Sequence, residues 1–336
     1  MDLPTPVERP LANDASESPI RFRPFLNGDP PALAEIWRSH AAHVRGLMQP
    51  MSPALLEQLV LAKPYFENEG LIVALDGDRQ VGFVHASFGP NDCKSGLCTS
   101  VGVTCMLMVR PEYWSTNTPD ELLRRSEDYL RSRGAQVLYG GGTRPLNGFY
   151  LGLYGGSELP GVLESDADAQ RLYRAHQYVA VENCQLFHRE LNSFRPPVNR
   201  QQLQVRRRSA VCSTADPATD TWWDACTVGN FDRVRFELLP RDGGPPLATA
   251  TFWNMEPLCS TWGTRAAGLI HLEVDTTQRR QGLATCLLSE AFRQLQADGI
   301  SLVEAQTLEH DTALIKLFRG LEFKEVERGT IFRKDA

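Results

Sequence analysis

The sequence Arg279-Arg280-Gln281-Gly282-Leu283-Ala284 separates an apolar run, Leu269 to Val274, from a run with helical periodicity, Thr285 to Asp298. We expect a strand followed directly by a helix, whose first backbone amides lack acceptors within the helix. Gly282 has no side chain and Ala284 a small one, so an anion can approach these amides closely. Two arginines add full positive charge to the helix terminus, and this combination favours a pyrophosphate.

A second interpretation is open, since any helix can begin with a glycine and two arginines on a solvated surface. Neighbouring segments favour the ligand site: Val274-Asp275-Thr276-Thr277-Gln278, Leu287-Leu288, Asp311-Thr312-Ala313-Leu314-Ile315-Lys316-Leu317-Phe318 and Glu322-Phe323. Together with the first stretch, they resemble the GNAT acyltransferase superfamily. In that family a strand ends in Val, Arg/Gln-x-x-Gly-x-Gly/Ala opens a helix, and a second helix reads Asn-x-x-Ala-x-x-Leu-Tyr-x-x-x-Gly-Phe.

The resemblance covers about the last 130 residues and departs from the family pattern at three positions. Asp311 replaces the Asn, Phe318 replaces the Tyr, and Glu322 replaces the Gly. Phe318 keeps an aromatic ring but has no hydroxyl to protonate a leaving thiolate. Because a thiol is a fairly strong acid, with a pKa near ~8.5, loss of that proton donor slows thioester chemistry without forbidding it.

Composition limits the possible function classes. A chain of 336 residues predicts two domains, and 42% hydrophobic with 23% charged residues is typical of globular proteins. A formal charge of −6 argues against a general nucleic-acid binder. Apolar runs such as Val101 to Val109 are much shorter than the ~20 residues of a membrane span. The eight cysteines form no zinc-binding pattern, so we expect no metal site.

The N-terminal segment, Met1 to Pro19, is polar and acidic without an apolar centre, so we interpret it as a flexible tail of a cytoplasmic protein. A Pro-containing polar stretch at 192–204 is the best linker, and similar orders of strands and helices lie on both sides of it. We therefore predict an N-terminal domain at 20–191 and a C-terminal domain at 205–336. The latter begins with a strand from Leu203 to Arg208, whose arginines Arg206, Arg207 and Arg208 lie on a solvated edge.

The predicted fold class is α+β, a mixed and largely antiparallel sheet with helices on both faces, built twice as two tandem GNAT-like domains. The helix over 281–298 has apolar residues three to four apart and ends at Asp298-Gly299, so one of its faces packs on a sheet. The tandem plan is similar in layout to GNAT members of the mycothiol synthase type.

The first half has diverged from the family pattern. After Val109-Arg110-Pro111-Glu112-Tyr113 it has Trp114-Ser115-Thr116-Asn117-Thr118-Pro119, which offers neither glycine nor cation to a diphosphate. We therefore predict a degenerate copy that does not hold the coenzyme in the usual way. It retains Tyr173 at the position of the family's tyrosine. Its Gly- and Tyr-rich segment, Gly140 to Gly156, either lines a substrate cleft or seals the domain interface.

The resemblance implies that an amine attacks the thioester of acetyl-CoA directly, with no covalent enzyme intermediate. It implies a backbone oxyanion donor at Val274, pairing of the pantetheine arm with Leu272, and further coenzyme contacts by Arg279, Arg280, Gln281, Gly282, Leu283, Ala284 and Phe318. For the general base we predict Glu273 as the first candidate and His271 as the second. These two share one face of a strand, whereas Leu272 and Val274 share the other. The alternative is that Glu273 and His271 are ordinary exposed or hydrogen-bonded side chains without a catalytic role.

The most favoured function is an N-acyltransferase that moves an acetyl or acyl group from acetyl-CoA to a primary amine of a small molecule or peptide. The C-terminal half would carry the chemistry, and the first half would support or shape the acceptor site. Two alternatives are open: a catalytically weak acyl-CoA-binding regulatory pseudoenzyme, and an interaction module whose arginines are simply solvated. The sequence indicates no nucleic-acid or membrane partner, and it leaves the acceptor, the acyl chain preference and the oligomeric state undetermined.

Overall fold

Strand and helix patterns alternate in both halves of the chain, and the computed structural model has the corresponding elements. It describes residues 20–41, 47–146, 148–256, 258 and 262–335. The tail predicted at 1–19 lies outside these ranges and stays a prediction. Within them, every helix is too short or too polar to cross a bilayer.

The first half begins with a strand and two helices and ends with a long strand. Its elements are β1 (Arg21–Pro24), α1 (Pro30–Ala41), α2 (Pro53–Leu56), β2 (Leu71–Asp76), β3 (Arg79–Pro90), β4 (Leu97–Val109), α3 (Thr118–Ser132), β5 (Val137–Gly140), β6 (Val162–Leu163), α4 (Ala167–Ala175) and β7 (Val179–Glu190). A π-helical turn at Glu57–Leu61 continues α2.

The second half has a similar order, with one additional helix at its start, one helix instead of two after its first strand, and no described counterpart of β6. Its elements are α5 (Arg200–Arg208), β8 (Ser209–Ala215), α6 (Trp222–Val228), β9 (Arg233–Pro240), β10 (Ala248–Asn254), β11 (Ala266–Val274), α7 (Leu283–Ala297), β12 (Leu302–Leu308), α8 (Thr312–Gly320) and β13 (Lys324–Asp335). A 3₁₀ turn at Thr276–Gln278 precedes α7.

The strands form one continuous sheet in the order β1-β2-β3-β4-β5-β13-β7-β12-β11-β10-β9-β8, and β6 pairs with β13. The pairs β4–β5 and β11–β12 are parallel, and the other pairs in the described ranges are antiparallel. The expected mixed, largely antiparallel sheet is therefore confirmed. Helix α7 packs on one face of the second half's strands, and Trp223 of α6 belongs to the core on the other face.

The last strand of each half pairs with strands of the other half. Strand β7 ends the first half but pairs with β12 of the second, from Cys184 opposite Leu308 to Glu190 opposite Leu302. Strand β13 ends the chain but lies between β7 and β5 of the first half. The two halves therefore share a hydrogen-bonded core sheet rather than a simple docking surface. The boundaries predicted at 191 and 205 stay a prediction.

The strand predicted at Leu203–Arg208 is wrong, because these residues belong to helix α5. Asn199 caps the helix by accepting a hydrogen bond from the amide of Gln202 at 2.9 Å. Gln202 and Val205, three residues apart, are buried, and the remaining Gln and Arg residues are good helix formers. The strand begins at Ser209, directly after the helix.

A gap opens in the sheet between β11 and β12. Their parallel pairing ends at Leu269 opposite Ala305, and a bulge places Ile270 as an extra residue against β10. Beyond this point β11 continues to Val274 and β12 to Leu308 without pairing to each other. The gap, the end of β11 and the following loop together position the candidate site.

Candidate functional site

The loop after β11 is built around two left-handed residues, Arg280 at φ 63° and Gly282 at φ 77°. Gly282 is the N-cap residue of α7. A β-carbon there would lie 2.8 Å from Nε2 of Gln202 on α5, so both the backbone conformation and the close approach of α5 require glycine.

Among the described residues, the amides at the start of α7 are unpaired. In the described chain, the amides of Leu283, Ala284 and Thr285 have no hydrogen-bond acceptor, as expected for a first helical turn. The α5 glutamines contact the opposite, carbonyl side, since Nε2 of Gln202 donates to the Gly282 carbonyl at 3.1 Å. The first amides of α7 therefore stay available to an anion, and the coenzyme contacts implied for this loop stay a prediction.

The two arginines of the loop are exposed. The Nε of Arg279 donates to the carbonyl of Val274 at 3.4 Å, so this side chain folds back over the end of β11. The Gln281 side chain accepts a hydrogen bond from Arg208 of α5 at 2.8 Å. Positive charge thus surrounds the start of α7.

The end of β11 separates its side chains as predicted. Leu272 and Val274 pack against the core under α7, and His271 and Glu273 point to the opposite side. Nε2 of His271 lies 3.5 Å from Oε2 of Glu273. Partial burial, and then the charge of Arg144, lower the pKa of His271 below its usual value, while Glu273 opposes this shift. His271 is therefore neutral near pH 7 and can accept a proton.

The backbone amides of Leu272 and Val274 point into the gap. The amide of Asp275 donates to the Leu247 carbonyl on the β10 side at 3.1 Å. Because backbone groups alternate in direction along an antiparallel strand, the amides one and three residues earlier point away from β10. This orientation suits the coenzyme pairing and the oxyanion contact that the resemblance implies for these two residues.

His271 and Glu273 face a cavity of about 440 Å³ between the two halves. Its titratable lining residues come from both halves and are Lys94, Arg144, Glu158, Asp220, Asp224, Arg233, Arg235, His271 and Glu273. Thr249 and Thr251 of β10 stand directly opposite Glu273 and His271 in the sheet and add hydroxyl groups to the same wall. The cavity is polar, and it combines acidic and basic groups.

The Gly- and Tyr-rich segment of the first half lies both in the shared core and along the cavity, and its part in substrate binding stays a prediction. Arg144, Leu151 and Ser157 in and just after it line the cavity. Phe149 and Tyr150 are buried in the core shared by the halves. The segment therefore seals the interface and forms one wall of the cavity.

Arg144 links this segment to the bulge in β11. Its guanidinium donates to the carbonyl of Ile270 at 2.5 Å and forms an ion pair with Glu158. Burial raises the pKa of Glu158, and the charge of Arg144 opposes that shift. Sequence reasoning missed both residues, because nothing local to Arg144 indicates a partner 126 positions away.

Sequence reasoning also missed Glu304 of β12. This carboxylate is fully buried and accepts a hydrogen bond from the amide of Ser157 at 2.6 Å. Burial raises its pKa to about 7, although the bond from Ser157 opposes the shift. A single Glu within the apolar strand pattern Leu302–Ala305 was the available signal.

Phe318 is 1% exposed and packs between Phe187 and Phe323, with ring centroids 5.6 and 5.0 Å away. It thus supports the core beneath α8. The coenzyme contact implied for it stays a prediction.

The equivalent gap in the first half is filled. Tyr154 and Tyr173, both buried, occupy the space beside Met106 and leave a cavity of only about 20 Å³. Helix α3 begins with Thr118 and Pro119, without a glycine N-cap. These features are consistent with the prediction that the first half is a degenerate copy that does not hold the coenzyme in the usual way.

Comparisons with known proteins give the same fold. Residues 202–323 match the sequence model of the acetyltransferase (GNAT) family. A tandem GNAT protein from the clavulanic acid biosynthesis pathway superposes with a TM-score of 0.63 at 13% identity, over 94% of this chain and 98% of that one. A GCN5-related N-acetyltransferase from Sphaerobacter thermophilus gives 0.58 at 16% identity, over 94% and 95%.

The GCN5-related glucosamine N-acetyltransferase region of a fungal multi-domain β-N-acetylglucosaminidase gives a TM-score of 0.68 at 14% identity. That match covers 97% of this chain and 40% of the other. No curated protein matches the sequence. At these identities the structural matches establish the tandem fold alone.

Proposed function

We propose that this chain, whose residues 202–323 belong to the acetyltransferase (GNAT) family and whose fold is the tandem GNAT fold, is an acetyl-CoA-dependent N-acyltransferase. One observation carries the proposal. In the described chain, a glycine-capped helix start with unpaired amides follows the end of β11 that no longer pairs with β12, and His271 and Glu273 of this strand end face a polar cavity. We assign the pyrophosphate to the helix start, the thioester arm to the gap beside β11 and the amine to the cavity.

The coenzyme would bind with its pyrophosphate on the amides of Leu283, Ala284 and Thr285, beside Arg279 and Arg280. Gln281 and Gly282 would shape the loop, and the pantetheine arm would enter the gap along Leu272. Partial positive charge at the helix start and full charges at the arginines favour an anion at this position. The described residues contain no His, Cys, Asp and Glu group suited to a metal, and the proposal requires none.

In the reaction, the neutral amine attacks the thioester carbonyl carbon. A C–N bond forms and the carbonyl oxygen becomes an oxyanion facing the amide of Val274. The C–S bond then breaks, and the proton that the attacking nitrogen loses passes to the departing thiolate, which leaves as the thiol. His271 would accept the proton that the ammonium loses, because its lowered pKa keeps it neutral. Glu273, the first choice from the sequence, would hold and orient the His271 ring.

The cavity supports a hydrophilic amine as acceptor. Glu273 can attract an ammonium group, whereas Glu158, Asp220 and Asp224 pair with cations of the cavity wall. Several threonine hydroxyls can bind polar substituents. The first half contributes part of this wall through the segment that includes Arg144 and Ser157. These positions support a role for the first half in binding the acceptor.

Calorimetric titration with acetyl-CoA, followed by mass spectrometry of a metabolite extract incubated with enzyme and acetyl-CoA, tests the proposal. We expect saturable binding, acetylated amine products and at least tenfold weaker binding by Arg280→Glu. Arg21→Glu, an exposed charge reversal on the distant edge strand β1, is the matched control. Binding without any product would favour the pseudoenzyme, and absence of binding would favour the interaction module. A substitution at Gly282 is less suitable, because its φ strains any other residue.

A further inference from the structure

Most charged side chains in the wall of the cavity between the halves pair with one another. Three of the four cations in this wall lie within ion-pair distance of a carboxylate of the same wall. These pairs are Lys94 with Asp224, Arg144 with Glu158, and Arg235 with Asp220. Because the two charges of each pair largely cancel, the pairs contribute little to the preference of the cavity for a cation or an anion.

Two charged side chains of the wall lack a partner of opposite charge in the described part of the chain. The guanidinium of Arg233 on β9 has no carboxylate within ion-pair distance, and its Nη2 donates to the carbonyl of Pro217 at 2.9 Å. The carboxylate of Asp216 accepts a hydrogen bond from the backbone amide of Arg233, not from the guanidinium. Glu273 on β11 faces His271, which is neutral near pH 7. One cation and one anion are therefore left for a ligand.

The sheet sets the separation between β9 and the proposed site of the amine. Arg235, Thr251 and His271 stand opposite one another on three adjacent strands, so the Cα atoms of Arg235 and His271 are two strand spacings, or ~10 Å, apart. Arg233 precedes Arg235 by two residues, which places it on the same face and ~7 Å farther along β9. A ligand that contacts both Arg233 and His271 is therefore extended, with its two polar groups several bonds apart.

The β9 arginines also act on the proposed proton acceptor. Burial, and then the charges of Arg144 and Arg235, lower the pKa of His271. Positive charge from β9 thus reaches the reacting end of the cavity, and a second ammonium group on the acceptor would be repelled there.

We propose that the acceptor carries a carboxylate as well as its amine, and that Arg233 binds this carboxylate while the amine lies at His271 and Glu273. This inference deepens the proposed function and rests on it, because that function places the reacting amine beside β11. A guanidinium forms charge-assisted hydrogen bonds with a carboxylate. Arg233 is half-buried, so water screens its charge only in part. A carboxylate also matches one unpaired arginine in charge, whereas a phosphate monoester carries about −1.5 to −2 charges.

The functional consequence is the substrate class. An amino acid with a distant amine, or a short peptide with a free carboxylate, places opposite charges at the two unpaired groups of the wall. A diamine or polyamine would place a second cation near Arg233 instead. We therefore expect carboxylated amines to be better acceptors than simple alkylamines and polyamines.

The experiment begins with the full-length protein, acetyl-CoA and a metabolite extract, and mass spectrometry identifies the acetylated products. We expect products whose acceptor part carries a carboxylate. The best acceptor is then assayed beside its primary carboxamide, which lacks the negative charge. The kcat/KM of the wild type should be at least about tenfold higher for the carboxylate, mainly through a lower KM.

Variants of Arg233 assign this preference to its guanidinium. Arg233→Gln should bring the ratio of the two kcat/KM values close to one, and Arg233→Lys, which keeps the charge, should retain part of the preference. The control Arg171→Gln removes an exposed charge on α4 and should keep the wild-type ratio.

Products without a carboxylate, including those with a phosphate in its place, would overturn this inference and leave the proposed function intact. A wild-type ratio near one would overturn it as well, as would a tenfold preference that persists in Arg233→Gln. If no amine is acetylated, the proposed function fails, and the inference fails with it. The wild-type comparison needs no substitution, so the test does not depend on the folding of a variant.

Discussion

Nε2 of His271 lies 3.5 Å from Oε2 of Glu273 at the end of β11, on the face that opens to the cavity between the halves. The charge of Arg144 lowers the pKa of this histidine, and the charge of Glu273 raises it. The imidazole therefore lies between two opposed electrostatic influences, one from each half of the chain. This arrangement leads to predictions of opposite sign.

Replacing His271 by Gln removes the proposed proton acceptor while keeping a polar side chain of similar size. We expect kcat/KM to fall by about 10²- to 10⁴-fold with little change in acetyl-CoA affinity, because the base acts on the amine and not on the coenzyme. Steady-state rates and calorimetric titrations measure the two effects separately. A variant with wild-type kcat/KM would remove His271 from the role.

Replacing Glu273 by Gln should move the acidic limb of the kcat/KM profile to lower pH. Glu273 raises the pKa of His271, so its loss lets that pKa fall further, and the neutral base persists into more acidic solution. The plateau rate should change by less than about tenfold. Disappearance of the limb together with a large loss of rate would instead identify Glu273 as the base.

Replacing Arg144 by Gln should move the same limb to higher pH. Arg144 lowers the pKa of His271, and glutamine removes the charge while keeping a donor for the Ile270 carbonyl. Arg171→Gln, on the exposed face of α4, is the control for loss of one positive charge and should leave the profile in place. A shift to lower pH in Arg144→Gln would contradict the assigned electrostatics.

Glu304 should make stability depend on pH. Its folded pKa, about 7, is raised above the unfolded value, so its favourable contribution is complete below about pH 4.5 and is lost as the pH rises to about 7. Glu304→Gln should therefore increase the free energy of unfolding at pH 8 by on the order of 2 kcal/mol and change it little at pH 4.5. Urea titrations at both pH values measure this difference, with Glu309→Gln as an exposed control. A variant less stable than wild type at pH 8 would contradict the prediction.

The strand exchange should make folding of the two halves interdependent. A chain truncated after Glu322 lacks β13, which pairs with both β5 and β7. We expect it to lose the cooperative unfolding transition of the whole protein, because exposed sheet edges replace two central ladders. Circular dichroism melts of the truncated and full chains check this. A truncated chain that melts like the full one would show that the exchange is dispensable.

The sequence predicted the local structure of the candidate loop because its signals are local. The strand end at Val274, the glycine at 282 and the helical spacing that follows lie within one short segment, and the structure has all three. The alternation of side chains along a strand likewise placed His271 and Glu273 on one face. The wrong strand at Leu203–Arg208 had a local signal against it, since Asn199 precedes a run of good helix formers.

The cavity and the strand exchange could not be predicted in the same way. Arg144 meets Ile270 through tertiary packing of the two halves, and β13 pairs with β5 across most of the chain. No periodicity or spacing carries information about such long-range partners. Glu304 is an intermediate case, because its apolar neighbours indicated burial but nothing in the sequence indicated its partner, the amide of Ser157.

The structure of the complex with acetyl-CoA tests the central claim most directly. The account predicts the pyrophosphate within hydrogen-bond distance of the amides of Leu283, Ala284 and Thr285, with the thioester carbonyl near the amide of Val274. A coenzyme bound in the first half, or one that leaves the start of α7 unoccupied, would contradict it.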